Sequence, residues 1–305
     1  MTSPDLSTPR ATTGWLQANV VCLLSMLIWA MGFPANERLL LVSDPATLAA
    51  SRMGAAAIFL LIVWTLIEGP AVLARAKWPT GLFIGGVGFG LGSITMLWAQ
   101  RLTDATTVAV VSSMLPIIGL LFETLFDGRR ITLRLALGIL LSIAGGILAI
   151  AAGIGQMQIG LGAAISLLSV VGFAWGSRAT VASLPDMTPL GRTALTGAGA
   201  GLSTMIVALA LNATGYGWAD PAILSPFHIS LILFAGIASF ALSQLLWIVS
   251  TERLGVGIAG MHINATPFYV MLFVWMLGGA WSWLQVLAAA VVVSGVVVAQ
   301  WPKRG

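Results

Sequence analysis

The residues that could do chemistry are few, and most of them lie inside long apolar runs. His262 and Asn264 lie close together in one run, and Pro267 follows them. A neutral imidazole and a carboxamide can both donate a hydrogen bond to a substrate carboxylate, and an imidazole can also carry a proton. Pro267 removes the helical hydrogen bond to residue 263 and frees a carbonyl group beside Asn264. Tyr269 is seven residues from His262, which predicts that the two share a helix face.

Two other apolar runs contain short clusters of small polar residues. A serine hydroxyl inside a helix often donates to the carbonyl group of the preceding turn, so serine is more often structural than functional. For a carboxamide inside a membrane, ligand binding and a hydrogen bond between two helices are about equally expected roles. The two clusters consist of Ser112, Ser113 and Pro116, and of Ser239, Ser243 and Gln244.

Trp29 and Trp175 occupy corresponding positions in two different runs, deeper than most of the other tryptophans. An indole ring can stack on an aromatic ligand or hold a cation, and packing in the core is the alternative. The predicted substrate-binding residues are Trp29, Ser113, Trp175, Ser243, Gln244, His262, Asn264 and Tyr269. The residues predicted to bend helices or act in gating are Gly32, Pro34, Pro116 and Pro267.

The composition decides which elements must position these residues. The chain has 305 residues with only 14 Lys and Arg and 10 Asp and Glu, so 8% of its residues are charged, whereas a soluble domain carries about 25%. Its mean hydropathy is +1.00. So few charges cannot cover a water-exposed surface, which excludes a cytosolic enzyme and a DNA-binding protein. The pI of about 10.0 therefore indicates basic residues at a membrane surface.

Several kinds of enzyme site are also excluded. Cys22 is the only cysteine, so an intramolecular disulfide, a cysteine-based zinc site and an iron–sulfur cluster cannot form. The two histidines, His228 and His262, have neither metal-ligand spacing nor an acidic cluster. A Walker motif is absent, which excludes ATP-driven transport by this chain. We therefore expect no metal, no cofactor and no catalytic site.

Ten apolar runs are long enough to cross a membrane as helices, since a span needs roughly 20 residues. They lack the alternation typical of a membrane β-barrel, so the predicted class is an all-α polytopic membrane protein. Residues 1–14 are predicted to form a disordered tail and residues 302–305 a second short tail. The predicted spans are 15–36, 46–68, 79–101, 105–126, 131–153, 159–183, 190–212, 227–251, 255–277 and 280–301.

The distribution of basic residues predicts the orientation of these spans. If the N-terminus is cytoplasmic, 11 of the 14 Lys and Arg residues lie on the cytoplasmic side and 3 on the other. Cytoplasmic loops carry the excess of Lys and Arg in membrane proteins. Both termini are therefore predicted to be cytoplasmic.

The two halves of the chain, residues 15–153 and 159–301, resemble each other. Leu97-Trp98 before Arg101-Leu102 has a counterpart in Leu246-Trp247 before Arg253-Leu254, and a proline follows in the next run of each half. Five spans is an odd number, so the second half enters the membrane from the opposite side. Inverted repeats are typical of alternating-access transporters.

The stretch from Leu97 to Leu102, with Ala105, Pro116 and Ile131-Thr132 after it, resembles the drug/metabolite transporter superfamily. The resemblance covers residues 15–301 and is to the ten-helix branch built from two EamA-type repeats. Members usually carry a glutamate in the turn before the fifth span, where this chain has Gly128-Arg129-Arg130. Within the superfamily the chain is most similar in character to the YddG-type exporters of aromatic amino acids. The resemblance implies export of amino acids across a bacterial inner membrane.

Two charged residues leave alternatives open. Arg52 opens the second span and either pairs with an acid or attracts a carboxylate. Glu123 lies near Asp127, Arg129 and Arg130, which favours a local ion pair.

The sequence therefore predicts a secondary transporter in the inner membrane, with an amino acid as cargo, aromatic ones in particular. The other expected partner is the lipid bilayer. We expect the protein to bind neither a nucleic acid nor an ATPase subunit, and a monomer is compatible with this function. One alternative is a transporter of the same superfamily with a different cargo, such as a cationic drug, for which Glu123 is the candidate carboxylate. The other is a membrane-embedded enzyme or scaffold that transports nothing.

Overall fold

In the computed structural model, the chain is a bundle of helices that run roughly along one another. The structure describes residues 10–103, 108, 111–151, 160–276 and 281–301, with side chains left out of the description at 10–13, 149–151, 267, 270–271, 273–274 and 285. Within these ranges the β structure consists of one bridge, between Ser43 and Ala219. Helices satisfy every backbone hydrogen bond internally, which is what long apolar segments require in lipid.

The helices agree closely with the apolar runs. They are α1 Arg10–Ala30, α2 Gly32–Leu39, α3 Pro45–Glu68, α4 Ala71–Arg75, α5 Trp78–Ile84, α6 Leu91–Leu102, α7 Leu115–Asp127, α8 Leu133–Ala151, α9 Leu161–Ser183, α10 Pro189–Ala213, α11 Pro226–Leu233, α12 Ser243–Leu254, α13 Val256–Met261, α14 Thr266–Met276 and α15 Trp283–Gln300. The first turns of α1 fall inside the segment predicted as a disordered tail, since the helix begins directly after Pro9 in the sequence.

Capping residues fix several of these boundaries. The Asp44 carboxylate caps α3 by accepting hydrogen bonds from the amides of Ala46 and Thr47, and the Thr188 hydroxyl caps α10 in the same way. Gly128, at a φ of 66°, ends α7, and Gly255, at 78°, ends α12. Gly128 adopts the left-handed helical backbone that often terminates helices. Gly255 combines its positive φ with an extended ψ of 162°, which residues with a Cβ rarely adopt.

Six helices in the described part of the chain are long and apolar enough to cross a membrane. They are Gly14–Leu39, Pro45–Glu68, Trp78–Leu102, Leu161–Ser183, Pro189–Ala213 and Pro226–Leu254, and two shorter apolar helices cover Leu133–Leu148 and Val286–Gln300. The fourth predicted span includes residues that the structure does not describe, and the ninth is interrupted by a turn of 3₁₀-helix. Ten spans in two repeats therefore stay a prediction.

Three of the helical segments change their winding in the middle. Gly85–Gly90 is a π-helix between α5 and α6, and Phe234–Leu242 is a π-helix between α11 and α12. A turn of 3₁₀-helix, His262–Ala265, separates α13 from α14. Such local changes alter which side chains face the interior and are frequent at functional sites.

Helices of the first predicted half pack mainly against helices of the second. The principal pairs are α1 with α12, α3 with α10, α6 with α9, α7 with α13, and α8 with α15. Small residues permit this packing: a Cβ added to Gly88 would lie 2.6 Å from the Cα of Gly176. The predicted repeat would produce this set of pairs, and the repeat itself stays a prediction.

The described ends of the chain meet at one end of the bundle, called here the terminal face. Asn19 and Gln300 exchange side-chain hydrogen bonds of 3.2 and 3.0 Å. The ion pairs described at the same face are Lys77–Asp186, Glu123–Arg129, Arg178–Asp127 and Arg192–Glu252. At the opposite face, the loop after α2 and the loop after α10 are joined by the Ser43–Ala219 bridge.

Candidate functional site

A cavity lies in the middle of the bundle, where α1, α3, α6, α9 and α12 approach one another. The empty space there amounts to about 690 Å³, with the solvent at its open mouth included. The lining residues come from both predicted halves. They are Ser25, Met26, Trp29, Arg52, Phe89, Gly92, Ser93, Met96, Ser112, Leu115, Ser169, Val170, Phe173, Phe240, Ser243, Gln244, Trp247 and Ile263.

Aromatic rings form one connected side of the cavity. The ring of Phe173 lies 5.6 Å from that of Phe89 and 5.5 Å from that of Trp247, measured between centroids. The indole nitrogen of Trp247 donates to the Ser177 hydroxyl at 2.8 Å, which fixes the ring. Trp29 is half-buried, and its partner Phe33 holds it edge-on at 4.8 Å. This wall offers flat apolar faces to a ligand.

The π-helices place two of these aromatic residues. Phe89 belongs to the segment Gly85–Gly90 and Phe240 to the segment Phe234–Leu242. Both side chains are buried and both line the cavity. The two changes in winding therefore lie beside the same space, one in each predicted half.

Most serine hydroxyls around the cavity are already used within the bundle, because each donates to a backbone carbonyl group. Such bonds remove the donor from a ligand and tie or bend helices. The bonds are Ser25 Oγ to the Ser243 carbonyl at 2.7 Å, Ser112 Oγ to Val108 at 2.8 Å, Ser169 Oγ to Gly92 at 2.7 Å and Ser243 Oγ to Ser239 at 2.5 Å.

Three lining residues instead keep a buried polar atom without a hydrogen-bond partner among the described residues. These atoms are Arg52 Nε, Ser93 Oγ and Gln244 Nε2. All three can donate a hydrogen bond. A buried donor without a partner costs about 1–3 kcal/mol, so a group that enters the cavity and accepts these bonds would recover that energy.

Arg52 is the only charged residue among those that line the cavity. It lies seven residues beyond Pro45, roughly 10 Å from the end of α3, and its exposed fraction is 3%. Its Nη1 donates to Asn36 Oδ1 at 2.9 Å. Within the described parts of the chain, Asp and Glu oxygens are all more than 4.0 Å from this guanidinium group.

Arg192, which like Arg52 lies near the start of the second span of its predicted half, is equally buried but has more partners. It donates to the carbonyl groups of Leu184 at 2.8 Å and Pro185 at 2.9 Å, and its Nη1 lies 3.0 Å from the Glu252 carboxylate. The geometry of that last contact is an ion pair and not a directed hydrogen bond. The second arginine is therefore neutralised by the protein, and Arg52 is not.

The structure brings together Trp29, Ser243 and Gln244 of the predicted substrate-binding residues, all of which line the cavity. Ser113 and Tyr269 are buried outside the lining. Trp175 is half-buried and packs edge-on against Phe83 at 5.9 Å, and Phe83 is 61% exposed on the outside of the bundle. A role in binding stays a prediction for all of them.

His262 and Asn264 are buried but are not among the residues that line the cavity. The Asn264 carboxamide donates to the Ser142 hydroxyl of α8 at 3.0 Å, and that hydroxyl donates to the Met261 carbonyl at 3.0 Å. His262 Nδ1 lies 3.2 Å from the Ala259 carbonyl. The 3₁₀ turn instead brings Ile263, which lies between them, to the cavity.

The predicted bending residues stand at interruptions. The break at Met31 separates α1 from α2, three residues before Pro34, whose nitrogen cannot donate to Ala30. Gly32 allows the closest approach here, since an added Cβ would lie 2.1 Å from Ser239 Oγ.

The other two predicted bending residues lie at the starts of helices. Pro116 is the second residue of α7. Pro267 is the second residue of α14, and its side chain lies outside the described residues. Gating stays a prediction.

The sequence left alternatives open for Arg52 and Glu123, and it did not indicate three residues of the cavity lining, Ser93, Phe89 and Phe240. The sequence left open whether Arg52 pairs with an acid, and a charge at this depth is a signal for a site. Ser93, Phe89 and Phe240 carry no such signal, because their positions depend on the π-helices.

Glu123 forms an ion pair with Arg129 and accepts a hydrogen bond from the Gly257 amide at 3.2 Å, away from the cavity. Groups of His, Cys, Asp and Glu able to hold a metal are absent from the described residues.

Comparison with known proteins supports the helical membrane fold. Residues 16–151 match the EamA-like transporter family. A solved structure titled "Crystal structure of protein" shares 19% sequence identity and superposes with a TM-score of 0.74, covering 93% of this chain and 96% of that chain. No curated protein matches the chain. The family match and the apolar helices together indicate a multi-pass membrane protein, and the match points to a transporter of the drug/metabolite superfamily.

Proposed function

We propose that the chain is a secondary transporter that exports amino acids, aromatic ones in particular, by alternating access across a bacterial inner membrane. The observation that carries the proposal is the central cavity, in which an aromatic wall faces buried hydrogen-bond donors. A ring can stack on Trp29, Phe173 and Trp247, while the polar end of the same molecule meets donors such as Gln244. The EamA-like match over residues 16–151 supports the transport function.

The two-fold arrangement of helix pairs supports alternating access. In this mechanism one half of the molecule rocks against the other around a central site. The cavity is lined by both predicted halves, so rocking would expose it to each side in turn. We propose the ten-span, two-repeat topology with cytoplasmic termini as the frame for this motion.

The residues around the cavity favour an amino acid over a cationic drug. A pump for cations requires a carboxylate in its site, and the described lining residues include neither Asp nor Glu. Glu123, the candidate considered from the sequence, already pairs with Arg129. A membrane enzyme would need a nucleophile, metal or acid–base pair, and the polar groups of the described cavity lining are hydroxyls, an amide and a guanidinium group.

Exchange by the purified protein in liposomes tests the proposal. Liposomes preloaded with unlabelled phenylalanine, alanine or a cationic dye receive labelled phenylalanine outside, and saturable uptake is expected only with the first load. Trp29→Ala should lower the affinity for phenylalanine about three- to tenfold, since an aromatic pair contributes about 0.5–1.5 kcal/mol. Trp98→Ala is the matched control because Trp98 is 40% exposed and does not line the cavity.

Two results would contradict the proposal. Exchange with cations but not with amino acids would retain the transporter and reject the cargo. Absence of exchange with every load, in protein that elutes as a single folded species, would reject the transport function itself.

A further inference from the structure

We propose that Arg52 binds a carboxylate group of the cargo, so that the cavity selects molecules carrying one carboxylate and an aromatic ring. This inference rests on the proposed function for its physiological meaning and makes Arg52 a specificity-determining residue of that site. The aromatic wall contacts the ring of the cargo but does not select for its charge, and Arg52 would add that selection.

The first observation is that Arg52 is buried without an opposite charge. Burying an ion is costly unless it is paired and hydrogen-bonded. Arg52 has an exposed fraction of 3%, and its one side-chain hydrogen bond in the described structure goes to the neutral Asn36 carboxamide at 2.9 Å. Its Nε makes no hydrogen bond to any described group. A guanidinium group has five donors, and this one is available to a ligand.

The second observation is that the other buried arginine near the start of a span has an acidic partner. Arg192 meets two carbonyl groups and the Glu252 carboxylate within 3.0 Å. This arginine of the other predicted half is therefore part of an ion pair. Arg52 differs in two respects: it lacks an acidic partner among the described residues, and it lines the cavity.

The third observation is that the backbone holds Arg52 firmly at this place. A Cβ added to Gly236 would lie 2.4 Å from the Arg52 carbonyl oxygen, so the π-helix Phe234–Leu242 packs directly against α3. Asn36 holds the guanidinium group from the other side. A donor fixed in advance binds an anion with less loss of side-chain freedom.

The remaining unpartnered atoms around the cavity have the same chemistry. Ser93 Oγ and Gln244 Nε2 can each donate a hydrogen bond. Donors that line the same cavity as one cation suit a carboxylate, which accepts about four hydrogen bonds and pairs with guanidinium in bidentate fashion. One positive charge among the described lining residues balances one negative charge, which favours a carboxylate over a phosphate dianion.

Binding measurements with aromatic probes test the assignment independently of transport. Isothermal titration of the full chain in lipid nanodiscs would use 3-phenylpropionate, its neutral isostere 3-phenylpropanamide, and phenyl phosphate. The wild type should bind the acid at least tenfold more tightly than the amide and more tightly than the phosphate. Arg52→Gln should weaken binding of the acid about 10- to 100-fold, since a hydrogen bond to a charged group contributes about 1.5–3 kcal/mol, and should leave the amide unaffected.

Two variants control for folding and for charge. Arg38→Gln removes one positive charge from the exposed end of α2 and should leave binding unchanged. Arg52→Lys keeps the charge without the bidentate fork and should retain part of the preference for the acid. If Arg52→Gln does not fold, the comparison of acid with amide in the wild type and in Arg52→Lys decides the question.

The outcomes separate this inference from the proposed function. Acid-selective binding that depends on Arg52 supports the inference even if liposomes show no amino-acid exchange, in which case only the function is rejected. Amino-acid exchange with equal affinity for acid and amide, or with unchanged acid affinity in Arg52→Gln, rejects the inference and retains the function. Preference for the phosphate, or absence of binding by all three probes, also overturns the inference.

Discussion

The Asp44 carboxylate is expected to make the largest single polar contribution to stability at the opposite face. One oxygen accepts hydrogen bonds from the Ala46 amide at 2.8 Å and the Thr47 amide at 3.1 Å. The other accepts from the Trp218 amide at 3.0 Å. It therefore both begins α3 and ties the loop after α2 to the loop after α10.

Substitution of Asp44 by alanine should lower the free energy of unfolding by about 2–3 kcal/mol. Loss of a helix N-cap costs about 0.5–2 kcal/mol. The Trp218 amide loses its acceptor as well, and an unsatisfied donor costs about 1–3 kcal/mol. The lower part of that second range applies because Trp218 is 41% exposed and water can reach the loop.

Unfolding in mixed micelles of increasing denaturing detergent, followed by tryptophan fluorescence, measures this change. Asp220→Ala is the matched control, because Asp220 caps the short turn Pro221–Leu224 through one bond of 2.7 Å at an exposed position. That variant should change stability by less than about 0.5 kcal/mol. Equal losses in the two variants, or no loss in Asp44→Ala, would refute the argument that burial and the bond between loops determine the cost.

Three further changes have expected outcomes. Gly88→Ala should cost about 1–3 kcal/mol of stability in the same assay, because the added Cβ would lie 2.6 Å from the Gly176 backbone; an unchanged midpoint would mean that the helices can separate at no cost. Glu123→Gln should lower stability by loss of the Arg129 ion pair and leave the affinity for phenylalanine unchanged, whereas selective loss of cation efflux would favour the drug-pump alternative. Trp175→Ala should leave that affinity within about twofold in exchange assays, since the ring packs on Phe83 and dispersion with an outward-facing partner adds little; a tenfold loss would instead support the role predicted from sequence.

The sequence was sufficient to locate most helices but not the faces that they present. Apolar runs bounded by charges, Gly and Pro predicted ends that differ from the observed ones by a few residues, as in 46–68 against Pro45–Glu68. This works because the length and hydrophobicity of a span are strong signals. Which side faces the cavity depends on winding, and a uniform period of 3.6 residues does not describe the helices that contain π or 3₁₀ turns.

Two cases illustrate the difference. Gln244 was recognised from its residue type and depth, and it does line the cavity. His262 was recognised by the same reasoning, yet the neighbouring residue Ile263 of the 3₁₀ turn His262–Ala265 lines the cavity instead. The rotation of a helix about its own axis depends on its packing in the bundle, which residue type and depth do not reveal.

The two π-helices also affect how this chain can be aligned with others. A π turn accommodates one residue more than an α turn, so the part of the helix beyond Gly90 or Leu242 is rotated by roughly 100° relative to a continuous α-helix. A relative with an uninterrupted helix would need a one-residue gap inside the span, where alignment methods normally place none. Ser93 and Gln244 lie just beyond these two segments, so an ungapped alignment would match both cavity residues with side chains that face elsewhere.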